Sequence, residues 1–483
     1  MMDRYDHFIY GEYRPSLNGG TMDVINPATG KKYADLAAGD HMDIELAVNG
    51  ARIAAKEWAL TSLSKRQAIM QRIADLILER ADMLADVECM DAGKPISLAR
   101  QLDIPRAASN FSFFAAAASQ WATESHHMPG QAINYTLREP LGIVGCISPW
   151  NLPLYLFTWK IAPAIASGNA VIGKPSELTP ATATLLGEIC NDAGLPPGVL
   201  NIIHGTGPDA GESIVVHPDV KAISFTGSTM VGKKIAGLCA QQLKKSSLEL
   251  GGKNPTIIFA DCDYEHMLAT TIKSSFSNTG QICLCSSRIL VEKSIYEKFV
   301  GDFVSRVNHL KIGDPTDPST DVGALISSAH MNKVLSYIEL AKEEGGEIIA
   351  GGNKHQMPGD LAGGYFVQPT VITGLDHRCR TNTEEIFGPV VTIIPFEAED
   401  DAVDWANATT YGLASVIWTN NLSRAHRVAA AMQSGIVWIN CWLLRDLRTP
   451  FGGMKQSGMG REGGWEAMRF FTEAKNVTIS LNS

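Results

Sequence analysis

The chain has no apolar run approaching the ~18 residues that a membrane span needs. Its first residues, Met1-Met2-Asp3-Arg4-Tyr5-Asp6, lack the apolar core of a secretory signal. Basic charge is in deficit: 41 Lys and Arg stand against 51 Asp and Glu, for a net charge of −10. Lys31-Lys32 and Lys244-Lys245 are isolated pairs, not a patch. Phosphate binding needs a basic face, so nucleic acid is excluded as the main partner. Cysteine is scarce and odd in number, nine in 483 residues. Their spacing supports neither a disulfide framework nor a zinc site. A reducing, cytoplasmic setting without a metal is expected. Cys89, Cys146, Cys190, Cys239 and Cys441 have apolar neighbours and read as small buried hydrophobes. A clean Gly-x-Gly-x-x-Gly is also missing; the nearest stretch, Gly205 to Gly211, carries one residue too many.

What is present is an ordinary globular composition, 45% hydrophobic and 19% charged, long enough for two large domains or about three. Asp43 to Trp58 has apolar residues at helical spacing. Ser64 to Gln67 reads as a capping box opening a long helix to about Cys89. Strands are expected at Ile143–Ile147, Ala170–Lys174, Leu200–His204, Ala222–Thr226 and Thr256–Phe259. A helix after Lys174 would be capped by Thr179, carry Pro180 in its first turn and end at Gly194. Strand–helix–strand alternation implies right-handed parallel crossovers, hence a doubly wound α/β sheet. A second α/β segment begins near Lys253, and the glycine-rich stretch from Gly345 to Gly364 reads as surface loops. Ala132–Leu137 and Asn476–Ser480 both alternate polar and apolar residues and are expected to pair.

Two segments carry chemistry. Cys283 follows a Gly280-Gln281 turn in a stretch too polar for plain core, and Glu249 lies in Leu248-Glu249-Leu250-Gly251-Gly252-Lys253. A thiolate can attack a carbonyl carbon and a carboxylate can activate water. Alone, Cys283 could be structural and Glu249 could pair with Lys253, although the glycine pair suggests close backbone approach to a ligand.

Together these segments resemble the aldehyde dehydrogenase superfamily. Further matches, in the same order, are Pro149-Trp150-Asn151-Leu152-Pro153, Lys174-Pro175-Ser176-Glu177, Phe225-Thr226-Gly227-Ser228-Thr229, Glu385-Ile386-Phe387-Gly388-Pro389 and Pro450-Phe451-Gly452-Gly453. The resemblance implies two doubly wound parallel-sheet domains, one Rossmann-like for NAD and one catalytic, plus a small β oligomerisation arm. The corresponding segments are 1–118 with 139–251, then 252–450, then 119–138 with 468–483. A homotetramer or homodimer is implied.

By the same resemblance Cys283 is the nucleophile, Asn151 stabilises the oxyanion with the Cys283 N–H, and Glu249 activates water. Lys160 would help proton traffic, and Cys285 is taken as packing. Lys174, Glu177, Gly227, Ser228, Trp150, Glu385 and Phe387 would hold the cofactor. The pyrophosphate would lie where the strand ending at Thr226 runs into a helix, a favourable place for an anion. Ser228 alone could equally be a plain helix cap. A Glu177 carboxylate would repel a 2′-phosphate and so favours NAD.

Pro153-Leu154-Tyr155-Leu156, Ile282 to Cys285 and Asn440 to Leu447 resemble the branch acting on 2-aminomuconate and 2-hydroxymuconate semialdehydes. That implies Arg106 and Arg445 as holders of the substrate carboxylate, an ion that suits the planar guanidinium fork. Arg100 and Arg448 are alternatives, and Arg445 could instead pair with Asp446. Leu152, Leu156, Trp159 and Trp442 would wall the flat diene. Rival readings are a betaine, aliphatic or aromatic aldehyde dehydrogenase, a cofactor-free Cys/Glu acyl hydrolase, and a non-catalytic scaffold.

Overall fold

The computed structural model describes residues 2–482. Its centre is an eight-stranded sheet in the order Gly458–Met459, Lys245–Glu249, Val220–Thr226, Ile143–Ile147, Ala170–Lys174, Leu200–Ile202, His7–Ile9, Glu12–Arg14. The five strands from Lys245–Glu249 to Leu200–Ile202 run parallel. Ile143–Ile147 and Ala170–Lys174, in the middle of the sheet, are fully buried and mostly apolar because helices cover both faces, whereas Lys245–Glu249 is polar in sequence. The N-terminal hairpin and Gly458–Met459 add antiparallel edges. Neither edge is foreseen from sequence: the strands before residue 15 are two or three residues long, too short for a periodic signal.

A seven-stranded sheet follows: Glu347–Ala350, Thr370–Thr373, Val390–Phe396, Ser286–Glu292, Asn254–Ile258, Ala414–Trp418, Ile436–Ile439. It is parallel except at Glu347–Ala350, an edge strand inside the stretch expected to be loop. The two sheets match the expected doubly wound α/β class. Thr472–Ser480 pairs antiparallel with Ala132–Pro140, which pairs with Ser125–Met128. The register Asn476 to Thr136 and Ser480 to Ala132 is the expected pairing.

Two helix starts differ from the sequence reading. Ser62, not Ser64, accepts from the Lys65 N–H and caps the helix Leu63–Glu79. That helix stops at Arg80, and a second runs Ala81–Ala92. At Ala181–Asp192 Thr179 is not the cap; the buried Asp91 carboxylate takes the Ala181 N–H at 2.9 Å. A cap supplied from ninety residues away leaves no local motif. Of the cysteines read as buried, Cys89, Cys146, Cys190 and Cys239 are so, while Cys441 is half-buried.

Candidate active site

Glu249 ends its strand at the carboxyl edge of the first sheet, where open α/β sheets place ligands. It is 4% exposed, and neither carboxylate oxygen has a hydrogen-bond partner. Burial, then the nearby Glu462 charge, pushes its pKa well above the usual carboxylate range. It does not pair with Lys253, whose ammonium is itself buried without a partner and pushed down to about 7 by burial. The expected close approach at Gly251 is real, but its object is Glu385. A β-carbon on Gly251 would come within 2.4 Å of that carboxylate, and the Gly252 N–H donates to it at 2.9 Å.

Cys283 follows the helix Tyr264–Phe276 and a turn in which Asn278, Thr279 and Gly280 all adopt left-handed conformation. A β-carbon on Gly280 would lie 2.1 Å from the Gly388 carbonyl, so only glycine is accommodated there. Side-chain amides hold this costly backbone. Asn278 donates to the Asn151 carbonyl at 2.9 Å, and Gln281 accepts from the Ile326 N–H at 3.1 Å. Asn254 donates to the carbonyls of Cys283 and Cys285 at 2.7 and 3.0 Å. The thiol is pushed up to about 12, by burial first and then by the charges of Glu249 and Glu385, with Arg445 opposing.

Cys283 forms part of the wall of three cavities, the smallest of them between Gly280, Ser286 and Glu385. One also contains Glu249, Leu152, Leu156, Trp159, Arg106 and Arg445. Another, more open, contains Trp150, Asn151, Gly227, Ser228, Glu385 and Phe387. The structure thus brings together thirteen of the residues singled out from sequence, Cys283 included, from segments spread over the chain. Asn151 spends one amide hydrogen on the Gln281 carbonyl at 2.9 Å and keeps one free. The Cys283 N–H has no acceptor among the described residues.

Lys174 and Glu177 form an ion pair at 3.1 Å just past their strand end, outside these cavity walls. Ser228 caps the helix Thr229–Gln241, accepting from Val231 at 3.4 Å. Trp442 stands behind the first wall, donating its indole hydrogen to Leu284 at 2.9 Å. Arg448, not Arg445, pairs with Asp446. Arg100 pairs with Asp82 and Asp86. Neither Arg106 nor Arg445 has a carboxylate partner among the described residues, and both are half-buried.

Three residues escaped the sequence reading. Glu462 is buried and accepts from Lys160 at 2.7 Å and Ser224 at 3.0 Å. It belongs to a glycine-rich segment, Gly460 to Gly464, whose acidic member was the available signal. His330 and Lys333 also help form the second cavity. His330 contacts the Phe387 carbonyl at 2.7 Å and is lowered to about 4 by burial, so it stays neutral and donates. Phe387, at φ 64, packs edge-on against Trp150.

The family model described as the aldehyde dehydrogenase family matches residues 13–477. The chain belongs to the aldehyde dehydrogenase family. Within that family it is 48% identical over 486 residues to the 2-hydroxymuconic semialdehyde dehydrogenase of Pseudomonas sp. (strain CF600), covering 99% of this chain and 100% of that relative. It is likewise 48% identical over 477 residues to the 2-aminomuconic semialdehyde dehydrogenase of Bos taurus, covering 98% of each. Among solved structures, an NAD+ complex of the aldehyde dehydrogenase from Bacillus cereus superposes with a TM-score of 0.97 at 38% identity. The match covers 99% of this chain and 97% of that one. No helix among the described residues is long and apolar enough to cross a membrane.

Proposed function

We propose that the protein oxidises a carboxylate-bearing semialdehyde to the acid with NAD, through a thioester on Cys283. The natural substrates would be of the 2-hydroxymuconate or 2-aminomuconate 6-semialdehyde type. The observation that carries this reading is that Cys283 stands between two cavities, one fit for a dinucleotide end and one bearing a carboxyl group and two guanidiniums. The names of the relatives and of the NAD+-bound neighbour point the same way.

The second cavity suits the cofactor. Glycine at 251 leaves space for the Glu385 carboxylate, which can accept ribose hydroxyls. Gly227 and Ser228 stand at the N-terminus of a 13-residue helix whose free N–H groups favour phosphate. Trp150 and Phe387 supply apolar faces, and Lys174 with Glu177 would take the adenosine end. When bound, NAD supplies the hydride acceptor that turns the cysteine-bound adduct into a thioester.

The chain's own groups do the rest. Cys283 gives its proton to the Glu249 carboxylate, which passes it on before the hydrolysis, and the sulfur adds to the aldehyde carbon. The free amide hydrogen of Asn151 and the Cys283 N–H stabilise the oxyanion; one such donor is worth about 3–4 kcal/mol. The buried Glu249, with its raised pKa, takes a proton from water as that water attacks the thioester, releasing the acid and the thiol. Glu462 and Lys160 lie beside it and can pass the proton on. Arg106 and Arg445 supply unpaired positive charge to the remote carboxylate; leaving them without an anion is costly in so apolar a cavity. The same two charges oppose a betaine cation.

Residues 1–118 with 139–251 would then serve the cofactor and 252–450 the chemistry, a division supported by the two sheets. The strand pair Ala132–Pro140 with Thr472–Ser480 would be the arm of a homotetramer or homodimer. Nine free cysteines favour a reducing cytoplasm. The test is NADH formation from 2-hydroxymuconate 6-semialdehyde and from benzaldehyde, in wild type and Arg445→Ala. A loss confined to the charged substrate supports the reading; equal response of both substrates refutes the carboxylate specificity.

A further inference from the structure

The two guanidiniums come from distant parts of the chain, and one residue touches both. Arg106 lies in the helix Ile104–Gln120, and Arg445 in the loop after the strand Ile436–Ile439. Between them, in the helix Pro153–Ala166, is Tyr155. Arg445 Nη1 donates to the Tyr155 hydroxyl. The Arg106 guanidinium carbon lies 5.9 Å from the centroid of the same ring.

We propose that Tyr155 is a specificity-determining member of the anion site: its hydroxyl accepts from Arg445 and donates its own hydrogen to the substrate carboxylate. This rests on the reading of Arg106 and Arg445 as carboxylate holders.

Four observations support it. First, Tyr155 is 3% exposed and forms part of the wall of the cavity that holds Cys283 and Glu249. Second, its hydroxyl is used only as an acceptor; no described residue takes its hydrogen. A phenol in an apolar cavity with an idle donor beside two cations is matched by an oxyanion ligand. Third, Arg445 stands at a neck. It also forms part of an outer vestibule with Trp438, Leu444 and Leu447. Stacked 4.0 Å from the Phe451 ring and 5.0 Å from Trp159, it has no carboxylate to hold it inward. The Tyr155 hydroxyl is its one side-chain hydrogen-bond partner among the described residues.

Fourth, the tyrosine is itself fixed. Asn110, one turn beyond Arg106, is fully buried and donates to the Tyr155 carbonyl at 3.1 Å and to Thr158 at 3.0 Å. The helix bearing Arg106 and the helix bearing Tyr155 are thereby locked in register. A neutral aldehyde would use none of this, so the arrangement discriminates by charge.

Tyr155→Phe removes one oxygen and keeps the ring under Arg106. The expected result is a KM for 2-hydroxymuconate 6-semialdehyde raised about 10- to 100-fold, the effect of deleting a hydrogen bond to a charged group. The kcat for that substrate and both constants for benzaldehyde stay within about twofold. Tyr155→His, with a ring and a polar atom, recovers part of the loss. The result that overturns the proposal is a Tyr155→Phe enzyme whose two substrates are affected alike or not at all, while Arg445→Ala still discriminates. If Arg445→Ala does not discriminate either, the carboxylate reading has failed and Tyr155 falls with it. Should Tyr155→Phe not fold, Tyr155→His is measured in its place. A KM rise confined to the charged substrate then supports the proposal, and an equal response of both substrates overturns it.

Discussion

The side-chain amide of Asn254 holds the backbone carbonyl of Cys283 at 2.7 Å and that of Cys285 at 3.0 Å, while its own carbonyl accepts from Ala414 at 3.0 Å. One buried residue at the start of a strand in the second sheet thereby fixes the loop that carries the nucleophile. Replacing it leaves two buried carbonyls without a donor, at about 1–3 kcal/mol for each unsatisfied group. Asn254→Ala is expected to lower kcat at least tenfold with NAD affinity kept, because Asn254 is not in the wall of the cavity that carries Gly227, Ser228 and Trp150. Unchanged turnover in steady-state kinetics would mean that the loop needs no such support.

The thiol is buried, and its pKa is pushed up to about 12. Only the thiolate alkylates, so in the free enzyme the rate of Cys283 modification by iodoacetamide should climb about tenfold per pH unit. The climb should run from pH 7 to 10 with no plateau, since the whole range lies below the raised value. Peptide mapping of the labelled enzyme checks this; a rate levelling near neutrality would show a thiolate already formed.

Cys283→Ser should abolish NADH production and leave NAD binding near normal. The oxygen occupies the same position but is a far weaker nucleophile at neutral pH. Fluorescence titration with NAD alongside an activity assay separates the two effects, and substantial residual turnover removes Cys283 from its role.

Deep in the first half, Lys94 is fully buried between Glu88 and Asp103 and bonds to both. Glu88 also takes the Leu154 N–H at 3.2 Å, at the start of the helix that carries Tyr155 and Trp159. Lys94→Met strands two carboxylates in the interior and is expected to cost about 3–5 kcal/mol of stability. Chemical denaturation reads it; a loss below 1 kcal/mol would mean that water or protonation compensates.

Much of the site was legible because chemistry-bearing residues lay in short contiguous motifs, such as Gln281-Ile282-Cys283 and Glu249 to Lys253. Several parallel strands were legible because burial on both faces leaves short runs without charged residues, as at Ile143–Ile147, while the polar Lys245–Glu249 was not. What stayed hidden works by contact between distant segments. Asp91 capping Ala181 and His330 holding Phe387 have no local signature, and the acidic residue at 462 does not by itself name Lys160 as its partner. The unpaired state of Arg445 was equally unreadable, since its neighbour Asp446 turns instead to Arg448. Periodicity also overextended one helix: Arg80 interrupts it although the apolar spacing continues on both sides.

The central claim is that Cys283 and Glu249 act in sequence at one cavity, the sulfur carrying the acyl group and the carboxyl group releasing it. Glu249→Ala mixed with NAD and one equivalent of 2-hydroxymuconate 6-semialdehyde, acid-quenched and measured by intact mass, tests it most directly. The account predicts one NADH per subunit and an added acyl mass that maps to Cys283. Steady turnover at the wild-type rate with no trapped adduct would contradict it.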